Sequence, residues 1–100
     1  MTYLANAFSL QMVQTDCNIS IRGVDPADVP ADITSAIGHV DTAAVVSTIL
    51  GREVPCNRAN VSLEKGDVLF VAQVMGGRLP EGATTLPEGF RLEFRRVEIL

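Results

Sequence analysis

The chain has 100 residues, of which 47% are hydrophobic and 5% aromatic, and its formal net charge is −4. A chain of this length forms one domain that buries roughly two-thirds of its unfolded surface, so we expect a single domain over residues 1–100. Its core must consist mainly of Val, Ile, Leu and Ala. The negative charge argues against non-specific binding to long DNA or RNA, but it leaves room for a small anion in a local pocket.

The apolar content is high for so small a body, and a homodimer interface is one place to bury the excess. No apolar run approaches the roughly 18 residues of a membrane span, and the first residues lack the basic segment that is typical of a secretory signal peptide. We therefore expect a cytoplasmic protein without a membrane partner. Cys17 and Cys56 lie far apart without CxxC spacing or a companion histidine, which favours reduced, part-buried thiols over a disulfide or a zinc site.

Two strands are predicted in the first third of the chain. Residues 3–8 and 17–22 are rich in alternating apolar positions, and the second run ends at Gly23. Residues 9–12 are expected to form a turn or a short helical link. Residues 24–32 contain two prolines and form a surface connection. Its three aspartates are better suited to helix capping, by Asp28 or Asp32, than to metal binding, because a proline-interrupted loop does not converge carboxylates on one point.

Two helices are predicted in the middle of the chain. The first covers residues 33–37 and stops at Gly38, a residue suited to the left-handed position after a helix. The second covers residues 42–50, begins at a cap provided by Asp41 or Thr42, and ends at Gly51. His39, the only histidine, then lies between two helices, next to a helix N-terminus.

Three more strands are predicted in the second half, at residues 61–63, 68–74 and 90–99. Residues 68–74 are the most apolar run and indicate a central strand covered on both faces. A turn at residues 64–67, a flexible loop at 76–82 and a turn-rich stretch at 83–89 separate these strands. The predicted elements indicate an α/β fold in one domain, with five strands and short helices.

His39 is the leading candidate for chemistry. Imidazole, with an unperturbed pKa of about 6.5, exchanges protons near neutral pH, and a helix N-terminus attracts phosphate. His39 is therefore suited to protonate an oxygen that leaves a phosphate. The competing interpretation is that His39 only caps a helix or fills a junction, and the sequence alone leaves both open.

Polar side chains elsewhere are candidates for ligand binding. Arg58 and Arg78 lie in polar or glycine-rich loops next to strand ends, where guanidinium groups can bind phosphate oxygens. Asn6 and Gln73 are amides in apolar strands, and their partners are either base edges and ribose hydroxyls or the neighbouring backbone. The remaining acids are scattered, so a two-metal site is not expected. No P-loop or dinucleotide fingerprint is present, and we expect no cofactor.

Five blocks of the sequence resemble the viral ring nucleases, which are small anti-CRISPR proteins with cellular relatives. The blocks occur in the family's order, and the first two together are the most specific. They are Tyr-Leu-Ala-Asn-Ala-Phe-Ser at 3–9, Ser-x-Ile-Gly-His-x-x-Thr at 35–42, Asn-Arg at 57–58, Leu-Phe-Val-x-Gln at 69–73 and Arg-Leu-x-Glu-Gly at 78–82.

The resemblance implies an α/β homodimer, each chain with a mixed five-stranded sheet flanked by short helices, that binds cyclic tetra-adenylate across its interface. It also implies metal-independent cleavage of that ring to linear di-adenylates with 2′,3′-cyclic phosphate ends, which antagonises type III CRISPR signalling. His39 takes the position of the family's general acid, and Glu81 matches a glutamate near the cleavage centre. The positions that match ligand-binding residues are Asn6, Ser9, Thr42, Arg58, Gln73 and Arg78. The alternatives are a non-catalytic sponge or sensor of cyclic nucleotides and a purely structural dimer.

Overall fold

The framework of the protein is a mixed five-stranded sheet, described by a computed structural model of residues 1–100. The chain forms β1 (Thr2–Ala5), β2 (Ile19–Val24), β3 (Thr34–Ser35), α1 (Val40–Leu50), β4 (Val68–Met75) and β5 (Arg91–Ile99). The strand order is β2-β5-β4-β1-β3. The predicted α/β class and the five-stranded mixed sheet are confirmed, with one α-helix and short 3₁₀ turns beside the sheet.

The parallel half of the sheet determines where the chain can build a site. β1 pairs in parallel with β3 and β4, whereas β5 runs antiparallel to β4 and β2. Because parallel strands end at the same edge, the chain leaves β1 at Asn6, β3 at Ala36 and β4 at Gly76 along one side of the sheet. The connection from β3 enters α1 at that side. Ligands bind preferentially at this edge in sheets with parallel strands.

β4 is the central strand, and both of its faces are buried as predicted. Phe70 and Ala72 face the cluster that contains Val46 of α1. Leu69 and Val71 face the opposite cluster, where they pack with Val97 and other residues. Each fully buried Leu or Val stabilises the fold by about 1.5–3 kcal/mol relative to an exposed one, so β4 anchors both clusters.

The helix predicted at residues 33–37 is wrong, because Thr34–Ser35 form β3. The β-branched residues Ile33, Thr34 and Ile37 suit an extended backbone, and the edge of β1 offers hydrogen-bond partners that a five-residue helix lacks. The pairing continues past β3, where the Ala36 amide donates to the Leu4 carbonyl at 2.7 Å. His39 therefore follows a strand, and Gly38 is not among the glycines in the left-handed region.

Two predictions about the strands also differ from the structure. Residues 61–63 form no strand. Leu63 is buried against one face of the sheet, in the cluster that contains Leu69 and Val71, and its amide donates to the Met12 carbonyl at 2.7 Å. Their alternation reflects packing on a sheet face and not strand pairing. Gly23 does not end the second strand, because it pairs with Arg95 within β2.

The predicted connections agree better with the structure. Residues Leu10–Met12 form a short 3₁₀ helix, and Gly51 ends α1 with φ of 70°. Asp28 does cap a helix end, but that end belongs to a 3₁₀ helix at Pro26–Asp28, where the Asp25 amide donates to Asp28 Oδ2 at 3.0 Å. Both cysteines are free, as predicted, but they are exposed and not part-buried. None of the helices has the length and hydropathy needed to cross a membrane.

Asp67 joins the start of β4 to the first residue of the chain. Its carboxylate accepts the Glu64 amide at 2.9 Å and the Met1 ammonium at 3.0 Å. The Glu64 hydrogen bond and then the ammonium lower the pKa of Asp67 below its ordinary value of 3.8. The stabilisation is therefore complete above the unfolded pKa and is lost as the pH falls through the folded one.

We expect Asp67→Asn to lower the free energy of unfolding by about 0.5–1 kcal/mol at pH 7, because it removes a charge-assisted pair while it keeps an acceptor oxygen. The difference from wild type should shrink as the pH falls below 4. Urea titrations at pH 7 and pH 3 measure it, with the exposed Asp16→Asn as control. An equal difference at both pH values would contradict the assignment.

Candidate functional site

His39 lies at the entrance to α1, at the edge where the parallel strands end. It is the N-cap residue, with extended backbone angles (φ −119°, ψ 127°), and its side chain makes no capping hydrogen bond. Asp41 and Thr42 are already inside the helix, so the predicted cap at these residues is wrong. His39 is also exposed. His39 thus occupies the N-cap position by its backbone alone, and its imidazole is accessible to a ligand.

A cavity of about 510 Å³ opens between the first turn of α1 and the loop that follows β4. We call it the carboxylate cavity, because Asp41 and Glu81 both line it. It brings together four predicted site residues from two distant parts of the sequence. These are His39, Thr42, Arg78 and Glu81.

A second cavity, of about 370 Å³, lies on the other side of His39. We call it the cationic cavity, because Arg58 and His39 line it and no carboxylate does. The amide residues Asn6 and Asn60 complete its polar lining. Arg58 Nε donates to the Gly38 carbonyl at 3.0 Å, which uses one of the five guanidinium donors and leaves the others for a ligand.

The segment that carries Arg58 is fixed against the continuation of β3. The Asn57 amide nitrogen donates to the Ile37 carbonyl and its side-chain Nδ2 to the Ser35 carbonyl, both at 2.7 Å. The buried Ser35 hydroxyl donates to the Pro55 carbonyl at 2.7 Å. These bonds place Arg58 opposite Gly38, where a Cβ on the glycine would come within 3.3 Å of Arg58 Cγ. The absence of a side chain at residue 38 lets the arginine lie beside His39.

Two glycines direct the chain from β4 towards Arg78. Gly76 has φ of 114° and Gly77 has φ of 145°. A Cβ at Gly76 would lie 3.0 Å from the Gly89 carbonyl oxygen and from Phe90 Cα, so the backbone there packs directly on the approach to β5. Any other residue at position 76 would have to move this contact and, with it, the start of the Arg78 loop.

The remaining predicted residues lie outside the two cavities. Ser9 lines a groove of about 620 Å³, which shares Ala59 and Asn60 with the cationic cavity. Gln73 lines a separate hollow of about 240 Å³ with Ala7 and Phe8. It is exposed, on the face of β4 that also carries Leu69 and Val71 and that points away from α1.

The sequence prediction missed two residues of the site. Asn60 lines both the cationic cavity and the adjoining groove, and the polar run at residues 57–60 was the signal that pointed to it. Asp41 lines the carboxylate cavity, and its Oδ1 accepts the Gly82 amide at 3.2 Å. No pattern in the sequence indicates that contact, because it joins segments 41 residues apart.

Comparison with known proteins identifies the family of the chain. The family model STIV B116-like matches residues 2–94. The chain belongs to this family. Among solved structures, B116 of Sulfolobus turreted icosahedral virus superposes with a TM-score of 0.81 at 27% identity, over 97% of each chain. No curated protein matches the sequence significantly.

The B116-like match covers every predicted site residue, since all of them lie within residues 2–94. The relative of known structure is a viral protein, and its fold agrees with this one over nearly the whole length. The comparisons therefore support a viral protein family and its fold, which is the coarser part of the resemblance indicated by the sequence motifs.

We expect Gly76→Ala to destabilise the fold more than Gly66→Ala does. Both glycines have positive φ, of 114° and 92°, but a Cβ at Gly66 meets no atom within 4 Å. The control should cost about 1 kcal/mol from backbone strain alone, and Gly76→Ala about 2 kcal/mol or more because a steric conflict is added. Urea denaturation of both variants measures the difference, and equal losses would contradict the described packing.

Proposed function

We propose that this B116-like protein is a metal-independent ring nuclease that converts cyclic tetra-adenylate to linear di-adenylates and so antagonises type III CRISPR signalling. The observation that carries the proposal is the position of His39, which lines both the cationic and the carboxylate cavity at the start of α1. The resemblance of five sequence blocks to viral ring nucleases supplies the substrate.

The cationic cavity is suited to bind a phosphodiester. Its lining joins a guanidinium, an imidazole and two amides without a competing carboxylate. At the adjoining carboxylate cavity, which Asp41 and Thr42 line, the first amides of α1 have no partner within the helix and carry partial positive charge. A chain with net charge −4 can therefore bind an anionic ring locally, while its other surfaces repel long nucleic acid.

The proposed reaction is an internal transesterification. The ribose 2′-oxygen attacks the adjacent phosphorus, the bond from phosphorus to the 5′-oxygen breaks, and His39 in its protonated form gives its proton to that oxygen. Glu81, in the same cavity as His39, is the acceptor for the proton of the 2′-hydroxyl. No water is consumed, and two such cuts turn the four-phosphate ring into two di-adenylates with 2′,3′-cyclic phosphate and 5′-hydroxyl ends.

The working form in this proposal is a homodimer. A ring with four phosphates has the two-fold symmetry to meet two copies of His39 and Arg58. Val40, directly beside His39, is 71% exposed, and an apolar side chain at the edge of a polar site is suited to be covered by ligand or by a second copy. Ser9 and Gln73 line other concavities of a single chain, so a ligand that reaches them must extend beyond the two cavities around His39.

We expect His39→Ala to slow cleavage of cyclic tetra-adenylate by about 10²–10⁴-fold, the usual contribution of a general acid, while ring binding changes little. Single-turnover cleavage and equilibrium binding measure the two quantities, with Lys65→Ala, a change at an exposed turn outside both cavities, as the control. Cleavage by the variant at the wild-type rate would contradict the mechanism. A ring returned intact by the wild type would identify a sponge instead.

Arg58→Ala should weaken binding of the ring by about tenfold or more, because a charge-assisted hydrogen bond contributes about 1.5–3 kcal/mol. Arg22→Ala is the matched control, since Arg22 is an exposed arginine on β2, at the opposite edge of the sheet from β3. Titration of labelled ring measures both affinities. A similar loss in the two variants would indicate general charge attraction and not a defined phosphate contact.

A further inference from the structure

A tight turn presents Glu81 to the carboxylate cavity. The Ala83 amide donates to the Pro80 carbonyl at 3.1 Å, and Gly82 adopts φ of 78°, so residues 80–83 form a β-turn with Glu81 and Gly82 at its centre. The amide between the two central residues has no partner within such a turn. Asp41 Oδ1 accepts it at 3.2 Å, which connects the turn to the first turn of α1.

A second contact fixes the same segment further along the helix. Thr48 Oγ1 donates to the Thr84 carbonyl at 2.8 Å. Thr48 lies about two helical turns after Asp41 and so on the same side of α1. Residues 80–84 therefore lie along α1 and are held by two hydrogen bonds, one near each end of the helix.

Beyond these contacts and the packing of Gly76 against Gly89 and Phe90, the loop has no regular secondary structure to determine where Glu81 lies. Gly76, Gly77 and Gly82 all have positive φ, and glycine at such positions allows many conformations once contacts are lost. Residues 76–90 belong to no strand or α-helix, and Arg78 and Glu81 are exposed. The hydrogen bond to Asp41 is made by Gly82, the residue that directly follows Glu81.

We propose that Asp41 is a positioning residue, which holds the Gly82 amide and thereby keeps Glu81 and Arg78 facing His39. This inference rests on the proposed ring-nuclease function. The role depends on the acceptor oxygen and not on the charge: a carboxylate in the first turn of α1 repels a phosphate bound there, whereas an amide oxygen accepts the same hydrogen bond without that repulsion.

Asp41→Ala and Asp41→Asn separate these two properties. We expect Asp41→Ala to lower the single-turnover cleavage rate by about tenfold or more, because small displacements of reacting groups slow the chemical step. The affinity for the ring should change less than threefold. Asp41→Asn should cleave within about twofold of wild type and bind the ring at least as tightly. The matched control is Asp28→Ala, which removes an exposed aspartate that also accepts one backbone amide.

Trypsin provides a readout that requires no catalysis. In the ligand-free protein, cleavage after Arg78 should be faster in Asp41→Ala than in wild type, Asp41→Asn or Asp28→Ala, because the loop has lost its contact with α1. Equal cleavage of the loop in Asp41→Ala and wild type overturns the positioning role, and so does an Asn variant as slow on the ring as the Ala variant. A wild-type protein that leaves the ring intact overturns the proposed function, and the tryptic rates then decide whether Asp41 fixes the loop.

Discussion

The parallel pairing of β1 with both β3 and β4 is the constraint on which the rest of the structure depends. Leu4 in β1 is completely buried, and its carbonyl accepts the Ala36 amide, which extends the pairing beyond β3. Since the three parallel strands end at one edge, Asn6, His39 and Arg78 reach the same side of the molecule from separate parts of the chain. The segment with Arg58 joins them because it is hydrogen-bonded to the continuation of β3.

The arginines of β5 form ion pairs, whereas the two arginines beside His39 do not. On β5, Arg91 and Arg95 both pair with Glu93, and Arg96 pairs with Glu98. Arg58 and Arg78 take part in none of the ion pairs, and they lie on either side of His39. Arg22, Arg52 and Lys65 form no ion pair either, so Arg58 and Arg78 are distinguished by their positions beside His39, at the edge where the proposed substrate carries its phosphates.

The sequence predicted the long elements correctly, and its errors fall on short segments, at residues 33–37 and 61–63. The long apolar and alternating runs that became β4 and β5 were identified because their periodicity extends over many residues. Residues 33–37 were assigned to a helix because five residues fit either period, and the edge of β1 decided the outcome. Likewise, apolar and polar residues alternate at 61–63 as in a strand, but Val61 and Leu63 pack on a face of the sheet without strand pairing.

The site was predictable only where a residue type carried its own chemistry. His39, Arg58 and Arg78 were identified from charge, titration range and neighbouring glycines or strand ends. The face occupied by Gln73 could not be predicted, because the sequence does not say which side of β4 α1 covers. The contact between Asp41 and Gly82 depends on how the loop after β4 packs on α1, which no local pattern encodes.

The most direct measurement is incubation of the wild-type protein with labelled cyclic tetra-adenylate in EDTA, followed by mass analysis of the products. The proposed mechanism predicts linear di-adenylate with a 2′,3′-cyclic phosphate and a 5′-hydroxyl, formed at the same rate with and without the chelator. An intact ring, a product that has gained water at its first cleavage, or strong inhibition by EDTA would contradict it.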